Sequence, residues 1–304
     1  MKEFQFPGRK NAWIHCCQWL PEGKPLGVVQ ILHGIAEYAA RYDTLARVFT
    51  TRGYVVTAED HMGHGVSICP EIPRGCLEGG WSALVSDSFQ LLQITKEQFP
   101  NLPFVLYGHS MGSFMARSLL YRYPQAGLQA VILSGTGWMP KSVLLAGRAL
   151  CRASARRIGW DAVSPALDKL MFGSYNKAIP AARTPWDWLS RDQAEVDRYV
   201  ADPLLGFSPS LALADALFDG MLQNETRSNL IQMPKELPLL FISGDQDPVG
   251  SYGAGVRQTL EAFRKAGMKD LSLKLYPGAR HELHNELNRQ EVQADLLSFL
   301  DRFR

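Results

Sequence analysis

The stretch Phe104-Val105-Leu106-Tyr107-Gly108-His109-Ser110-Met111-Gly112-Ser113 decides how the rest of the chain is read. It begins as a continuous apolar run, the pattern of a strand buried on both faces. It then turns through Gly108-His109-Ser110-Met111-Gly112, a match to G-x-S-x-G. From Phe114 to Tyr121 the apolar positions recur three and four apart, which predicts a helix. Strand, tight turn and helix are the setting in which a serine sits on a strained backbone with its hydroxyl clear of the sheet. Glycines fit two positions either side, where a side chain would collide with the neighbouring strand or helix. The new helix also directs its positive end and free N–H groups at the reacting atom. A pattern this short recurs by chance, so the serine must be weighed with its partners.

At 304 residues the chain suits one large α/β domain or a domain with a sizeable insertion. Hydrophobic residues at 46% and charged residues at 20% describe a globular protein with a full core. A net charge of +2, without a long run of one sign, argues against nucleic acid as a partner. The start, Met1 to Pro7, has no apolar core of a signal peptide, and no apolar run approaches the ~20 residues that cross a bilayer. Five cysteines, an odd number, suggest reduced thiols in a cytoplasmic protein. Cys16 and Cys17 should point to opposite faces of a strand, while Cys69 and Cys76 could bridge a loop only in an oxidising compartment.

Residues Phe4 to Leu20 read as two short antiparallel strands around a turn at Pro7 to Asn11. Leu26 to Leu32 is the first strongly buried strand, and it ends in His33-Gly34-Ile35-Ala36-Glu37. Tyr42 to Arg52 predicts a helix, Tyr54 to Glu59 a strand, Trp81 to Phe99 a helix, and Ala130 to Gly135 the strand after the elbow. From Trp138 to about Pro234 strand signals vanish, and helical patches alternate with Pro, Trp and Asp. Strand rhythm returns at Leu237 to Ser243, followed by a helix at Val256 to Ala266, a strand at Leu271 to Tyr276 and a closing helix from Gln290 to Phe303. Alternating strands and helices argue for a mostly parallel sheet covered on both faces. The aberrant middle argues for an inserted helical lid, with a core domain of residues 1–137 and 236–304 and a cap of residues 138–235.

In such a sheet polar groups for chemistry gather at the carboxyl ends of strands. The elbow supplies Ser110, the strand ending at Ser243 leads to Asp245 and Asp247, and the strand ending at Tyr276 leads to His281 and His284. The order Ser, Asp, His is the one this layout requires. A serine hydroxyl is a weak nucleophile until an imidazole takes its proton, and a carboxylate fixes the imidazole's tautomer. Asp247, further along its loop, is favoured as the acid, with Asp245 as a loop-capping carboxylate. His281, nearer its strand end, is favoured as the base, with His284 on the same face of a starting helix. His281 and His284, joined by His61 and His64 at the same spacing, could alternatively ligate a metal. No H-E-x-x-H pattern supports this, so neither a metal nor a cofactor is expected. The tetrahedral intermediate needs two donors. The N–H of Met111 is one, and the N–H of Ile35, after the first buried strand, is the expected second.

The motifs His33-Gly34-x-x-Glu37, Asp60-His61-x-Gly63-His64-Gly65-x-Ser67, Gly108-His109-Ser110-Met111-Gly112, Gly244-x-x-Asp247 and Ala279-Arg280-His281-Glu282-Leu283-His284 together resemble the monoacylglycerol lipase/lysophospholipase branch of the α/β-hydrolases, often grouped with serine aminopeptidases. The resemblance spans both ends of the chain and skips the middle. It implies an α/β-hydrolase fold with an eight-stranded sheet, a helical cap, and hydrolysis of carboxylic esters such as monoacylglycerols or lysophospholipids. It also implies a triad of Ser110, Asp247 and His281, an oxyanion hole of Ile35 and Met111, and Gly34, Glu37, His109 and His284 as supporting neighbours. Ala36 and Met62 depart from the residues that relatives often carry, glycine and arginine, and could alter the pocket wall.

The segment Met139 to Arg157 sets Val143, Leu144, Ala146 and Leu150 against a stripe of Lys141, Arg148, Arg152 and Arg156. One reading is a helix making transient contact with anionic lipid surfaces. The plainer one is a cap helix with a solvated cationic face. Trp138, Trp160, Phe172, Tyr175, Trp186, Trp188 and Phe207 could line an acyl tunnel or pack a lid core. An aminopeptidase or amidase on the same triad would need a lid carboxylate, Asp187, Asp192 or Glu195, to bind a substrate amine. A non-catalytic binding protein of the same fold would be expected to have a broken triad, whereas here all three members are present.

Overall fold

The structure is a computed structural model describing residues 1–303. Its strands are β1 (Lys2–Pro7), β2 (Trp13–Trp19), β3 (Gly27–Leu32), β4 (Tyr54–Glu59), β5 (Phe104–His109), β6 (Ala130–Ser134), β7 (Leu239–Gly244) and β8 (Leu271–Tyr276). They form one sheet in the order β1-β2-β4-β3-β5-β6-β7-β8. The pairs β1–β2 and β2–β4 are antiparallel and every later pair is parallel. The helices are α1 (Asp43–Thr50), α2 (Gly80–Gln98), α3 (Met111–Arg122), α4 (Lys141–Ile158), α5 (Pro165–Phe172), α6 (Gln193–Ala201), α7 (Leu211–Asn224), α8 (Arg227–Gln232), α9 (Ala254–Lys265) and α10 (Arg289–Leu300).

The apolar runs become strands because both of their faces are covered. Alternate residues sort onto two cores: Val28, Leu32, Phe104 and Leu106 pack with α2, α3 and α9. Val29, Ile31, Val105 and Tyr107 pack with α1 and α10 on the other side. Cys16 and Cys17 divide between the same two cores, as their adjacency in a strand predicts. All the cysteines are free thiols, Cys69 and Cys76 included.

The helix expected after the elbow is present as α3, and every residue from Met111 to Tyr121 is buried, because α2, α7 and α8 close over its outer side. Two expectations are corrected. In α4 the buried stripe is Leu144, Gly147, Cys151 and Ala155, while Val143 and Leu145 are exposed. A Cβ at Gly147 would lie 2.7 Å from the Phe218 ring, so a seam of small residues seats α7, and a search for large apolar residues overlooks it. Arg148 accordingly leaves the basic stripe and pairs with Asp215 and Asp219 of α7. Finally, no helix starts at His281. A single 3-10 turn spans Leu283–Asn285, since Glu282 is held in a non-helical backbone by its bond to Leu189 O.

Residues between β6 and β7 contribute five helices and no strand among the described residues. This stretch divides physically. Leu144, Cys151, Leu213 and Leu217 are continuous with the core on the α2–α3 side of the sheet. Trp188, Leu189 and Tyr199 form a small core of their own with Phe172, Tyr175 and Trp186.

Candidate active site

Ser110 is the hinge between β5 and α3, at φ 52° and ψ −120°. That is a left-handed backbone for a residue with a side chain, costing roughly 1 kcal/mol or more, and strain of this kind concentrates at functional sites. The glycines around it are steric necessities. A Cβ at Gly108 would lie 2.5 Å from Gly112 O, and one at Gly112 would lie 2.0 Å from Leu32 O. The turn is pinned by Ser110 N–H donating to Ser134 O at 2.9 Å and by the Ser113 hydroxyl donating to Ser110 O at 2.6 Å.

The loops after β7 and β8 bring Asp247 and His281 together. His281 Nδ1–H donates to Asp247 Oδ2 at 3.0 Å, and the other carboxylate oxygen accepts from Val249 N–H at 2.9 Å. Both side chains are buried. Burial opposes charge on His281, but the Asp247 carboxylate outweighs it and holds the imidazole pKa above its ordinary value. Asp245 takes the capping role read for it, accepting from Gly278 N–H at 2.8 Å. His281 Nε2 has no protein partner among the described residues. Ser110 and His281 line the same small cavity, without a direct hydrogen bond between hydroxyl and imidazole among the described residues.

The loop after β3 forms the opposite wall. Neither Ile35 N–H nor Met111 N–H donates to a protein acceptor among the described residues. Ile35 and Ser110 together line two adjoining cavities. Gly34 N–H donates to Glu37 Oε1, which also accepts from the Tyr42 hydroxyl at 2.9 Å. Arg41 bridges Glu37 at 3.0 Å and Glu282 at 2.6 Å. Burial pushes the Glu37 carboxyl up, whereas Arg41 overcomes burial at Glu282 and holds that carboxyl down.

The His109 ring sits 4.7 Å from His281, and His284 packs behind it, 5.1 Å from His109 and stacked 4.7 Å from Tyr42. Burial lowers the pKa of both, that of His284 to about 4, so both are neutral rings, of which His109 borders the cavity.

Sequence reading missed Arg41 and Tyr199, named His33 only within a motif, and offered Trp188 only as a candidate for the tunnel or the lid core. His33 donates from Nδ1 to Gly34 O at 2.7 Å while its Nε2 accepts from His61 N–H at 3.0 Å. This fixes one neutral tautomer and pins the peptide whose other end is Ile35 N–H. Burial lowers the His33 pKa, which agrees with that neutral state. Arg41 and Tyr199 close the polar wall, and the Trp188 ring lies 5.0 Å from His281. A His-Gly pair directly after a buried strand was the one available signal. The others come from segments that converge only in three dimensions.

Two cavities adjoin across Ser110. One is narrow and of mixed character, bordered by Glu37, Tyr199 and Glu282 and also by Phe172, Trp186 and Trp188. The other, about 370 Å³, is mostly apolar and runs past Met111, Phe114, Met139, Phe218 and Met221 to the exposed Val143 and Leu170. Of the lid aromatics, Trp138, Phe172, Tyr175 and Trp188 border it. Phe207 instead packs on His64, and Trp160 is exposed. Among the described residues no group of three or more His, Cys, Asp or Glu side chains is arranged to hold a metal ion, and no helix is long and apolar enough to cross a membrane.

Residues 23–288 match the family model described as serine aminopeptidase, S33. The chain belongs to this family. The S33-family chain is 32% identical to the monoacylglycerol lipase of Mycolicibacterium smegmatis, over 98% of its own length and 96% of that protein. It is 28% identical to the human monoglyceride lipase, over 91% of its length and 82% of the other. The crystal structure of a thermostable carboxyl esterase from Bacillus coagulans, in complex with glycerol, superposes with a TM-score of 0.89 at 30% identity, covering 99% of this chain and 98% of that one. The architecture is that of the α/β-hydrolases, and the protein is a serine hydrolase of the monoacylglycerol lipase and esterase type.

Proposed function

We propose that this hydrolase cleaves carboxylic monoesters through an acyl-enzyme, with Ser110 as nucleophile, His281 as general base and then acid, and Asp247 as the carboxylate that orients it. The observation that carries the reading is the Asp247–His281 pair at 3.0 Å bordering the same cavity as a serine on a strained turn. His281 Nε2 removes the Ser110 proton as the hydroxyl attacks the ester carbonyl. Asp247 then stabilises the imidazolium, which returns its proton to the leaving alcohol. Ile35 N–H and Met111 N–H, both without protein acceptors among the described residues, receive the oxyanion. Water repeats the sequence to release the acid.

The two cavities divide the substrate. An acyl chain suits the apolar channel, and a small polar alcohol such as glycerol suits the narrow pocket beside Glu37 and Glu282. Monoacylglycerols, lysophospholipids and related monoesters fit this division, in line with the names of the relatives. The exposed Val143 and Leu170 at the channel's outer end favour uptake of a chain from a micelle or lipid surface. The cap assigned to this task is residues 138–235, of which the part around Trp186, Trp188 and Tyr199 covers the site.

An amidase acting on free amino termini fits less well. Asp187 is engaged by Arg183 N–H, Thr184 N–H and the Thr184 hydroxyl, Asp192 by Ala194 N–H and Arg289, and Glu195 by Arg198. None of the three is left to bind an ammonium group. Ser110→Ala should abolish both ester hydrolysis and fluorophosphonate labelling, and a graded panel of glyceryl monoesters should show the acyl preference. A folded Ser110→Ala protein with full activity would end this reading.

A further inference from the structure

The loop carrying Ile35 contains a second strained residue. Ala36 stands at φ 58°, the left-handed region that an alanine enters only at a cost of roughly 1 kcal/mol. A loop in that state relaxes unless something holds it. Its carbonyl oxygen accepts two hydrogen bonds, both from beyond α5: Gly206 N–H at 3.0 Å and the Tyr199 hydroxyl at 3.3 Å. Tyr199 is buried and its ring lies 4.8 Å from the Arg41 guanidinium. Burial also raises its pKa, so the hydroxyl remains a donor. Gly206 is itself at φ 63°, and a Cβ there would sit 3.1 Å from the Tyr199 ring, so both donors belong to one tightly packed turn. A neighbouring tie, the Tyr38 hydroxyl donating to Asp202 Oδ2 at 2.7 Å, fastens the same two segments together.

We infer that Tyr199 is a positioning residue for the oxyanion hole: together with Gly206 it clamps the Ala36 carbonyl and so keeps the strained loop in the shape that presents Ile35 N–H to the reacting carbonyl. The inference rests on the triad and oxyanion reading given above. It makes the α6 segment a strut of the catalytic site. The 3-10 turn Asp187–Leu189 just before α6 is tied to the histidine loop, where Glu282 N–H donates to Leu189 O at 2.7 Å and Arg280 donates to Asp187 O at 2.7 Å. The strut therefore spans the two loops that must keep register for the oxyanion and the base.

The test is Tyr199→Phe, which keeps the ring and removes the hydroxyl. It is assayed on a glyceryl monoester and on the p-nitrophenyl ester of the same acid. The expected result is a fall in kcat of about tenfold on both esters with KM unchanged, short of the ~10²–10³ that loss of an oxyanion donor itself costs. Affinity for a trifluoromethyl ketone, whose adduct carries the same oxyanion, should fall in parallel. Ala36→Gly, which removes the strain, should recover part of the loss in the Tyr199→Phe background. A loss confined to the glyceryl ester and expressed in KM would make Tyr199 a head-group contact and overturn the inference. Unchanged kcat, or no recovery with Ala36→Gly, would overturn it too. Ser110→Ala run alongside separates the two levels. An active Ser110→Ala removes the triad reading beneath the clamp, whereas a dead Ser110→Ala beside an unaffected Tyr199→Phe removes the clamp alone.

Discussion

Replacing Asp247 by asparagine should move the acid limb of catalysis in a direction fixed by the structure. Two opposing effects act on His281: burial, which disfavours the imidazolium, and the Asp247 carboxylate at 3.0 Å, which favours it. At an effective dielectric near 20, charges that close attract by about 5 kcal/mol before desolvation is subtracted. The carboxylate wins, so the imidazole titrates above its ordinary ~6.5. The base works only when uncharged, so activity is present above that pKa and is lost as the pH falls through it. In Asp247→Asn the attraction is gone and burial remains, which takes the His281 pKa below ~6.5. The acid limb of kcat/KM should then shift downward by more than about one pH unit, because one unit corresponds to only ~1.4 kcal/mol. The plateau should fall by roughly 10⁴, since an asparagine favours the wrong imidazole tautomer. Fluorophosphonate labelling rates across the acid range, with the His281 ring resonances followed by NMR, provide the measurement. A limb that stays put while the plateau drops would refute the claim that Asp247 sets the charge on His281.

Gly112→Ala would place a Cβ 2.0 Å from Leu32 O, a backbone atom that cannot swing aside. Urea unfolding should show a loss at or beyond ~3 kcal/mol, or no folded protein. Burial holds His64 at about 4, below its ordinary value, so its contribution to stability is fully present above pH ~6.5 and drains as the pH falls toward ~4. His64→Gln should therefore flatten the stability-versus-pH slope in that window by up to ~1.4 kcal/mol per unit, read by denaturant titrations at several pH values. Met221→Trp narrows the apolar channel and should lower kcat/KM for a long-chain monoester at least about tenfold relative to a short one. Arg148→Ala loses its partners Asp215 and Asp219 between α4 and α7, and thermal melts should register a cost of about 1 kcal/mol, reduced by added salt.

The inner parallel strands were legible because they are buried on both faces and so read as nearly continuous apolar runs. Val105-Leu106-Tyr107 and Leu240-Phe241-Ile242 are examples. The proximity of Asp247 and His281 was legible because strand ends in a parallel sheet lie side by side whatever their separation in sequence. The seam between α4 and α7 was not, because its key positions are Gly147, Cys151 and Ala155, small residues whose contribution is to let another helix approach. Arg117 is a related case: it is buried within α3, donating to Gly137 O at 2.9 Å with Phe114 and Phe263 beside the guanidinium. A helix covered on all sides must bury some polar group, and periodicity alone does not say which.

The division of labour between strand ends and the helical stretch follows from what each can hold still. In the proposed mechanism a hydroxyl and an imidazole pass a proton beside a fixed carboxylate and need constant spacing, and the sheet provides it through β5, β7 and β8, whose hydrogen bonds fix the starts of their loops. The loop after β3 has no regular element before Ala39 and carries Ala36 in a strained backbone, so side-chain bonds rather than a strand or helix ladder hold it. Something outside the sheet must hold it, and the residues that do so, Tyr199 and Gly206, lie in the stretch that shows no strand rhythm at all. The irregular middle of the chain thus supplies more than a wall for substrate. Tyr199, Asp202 and Gly206 of that stretch are the residues that tie it to the loop it covers.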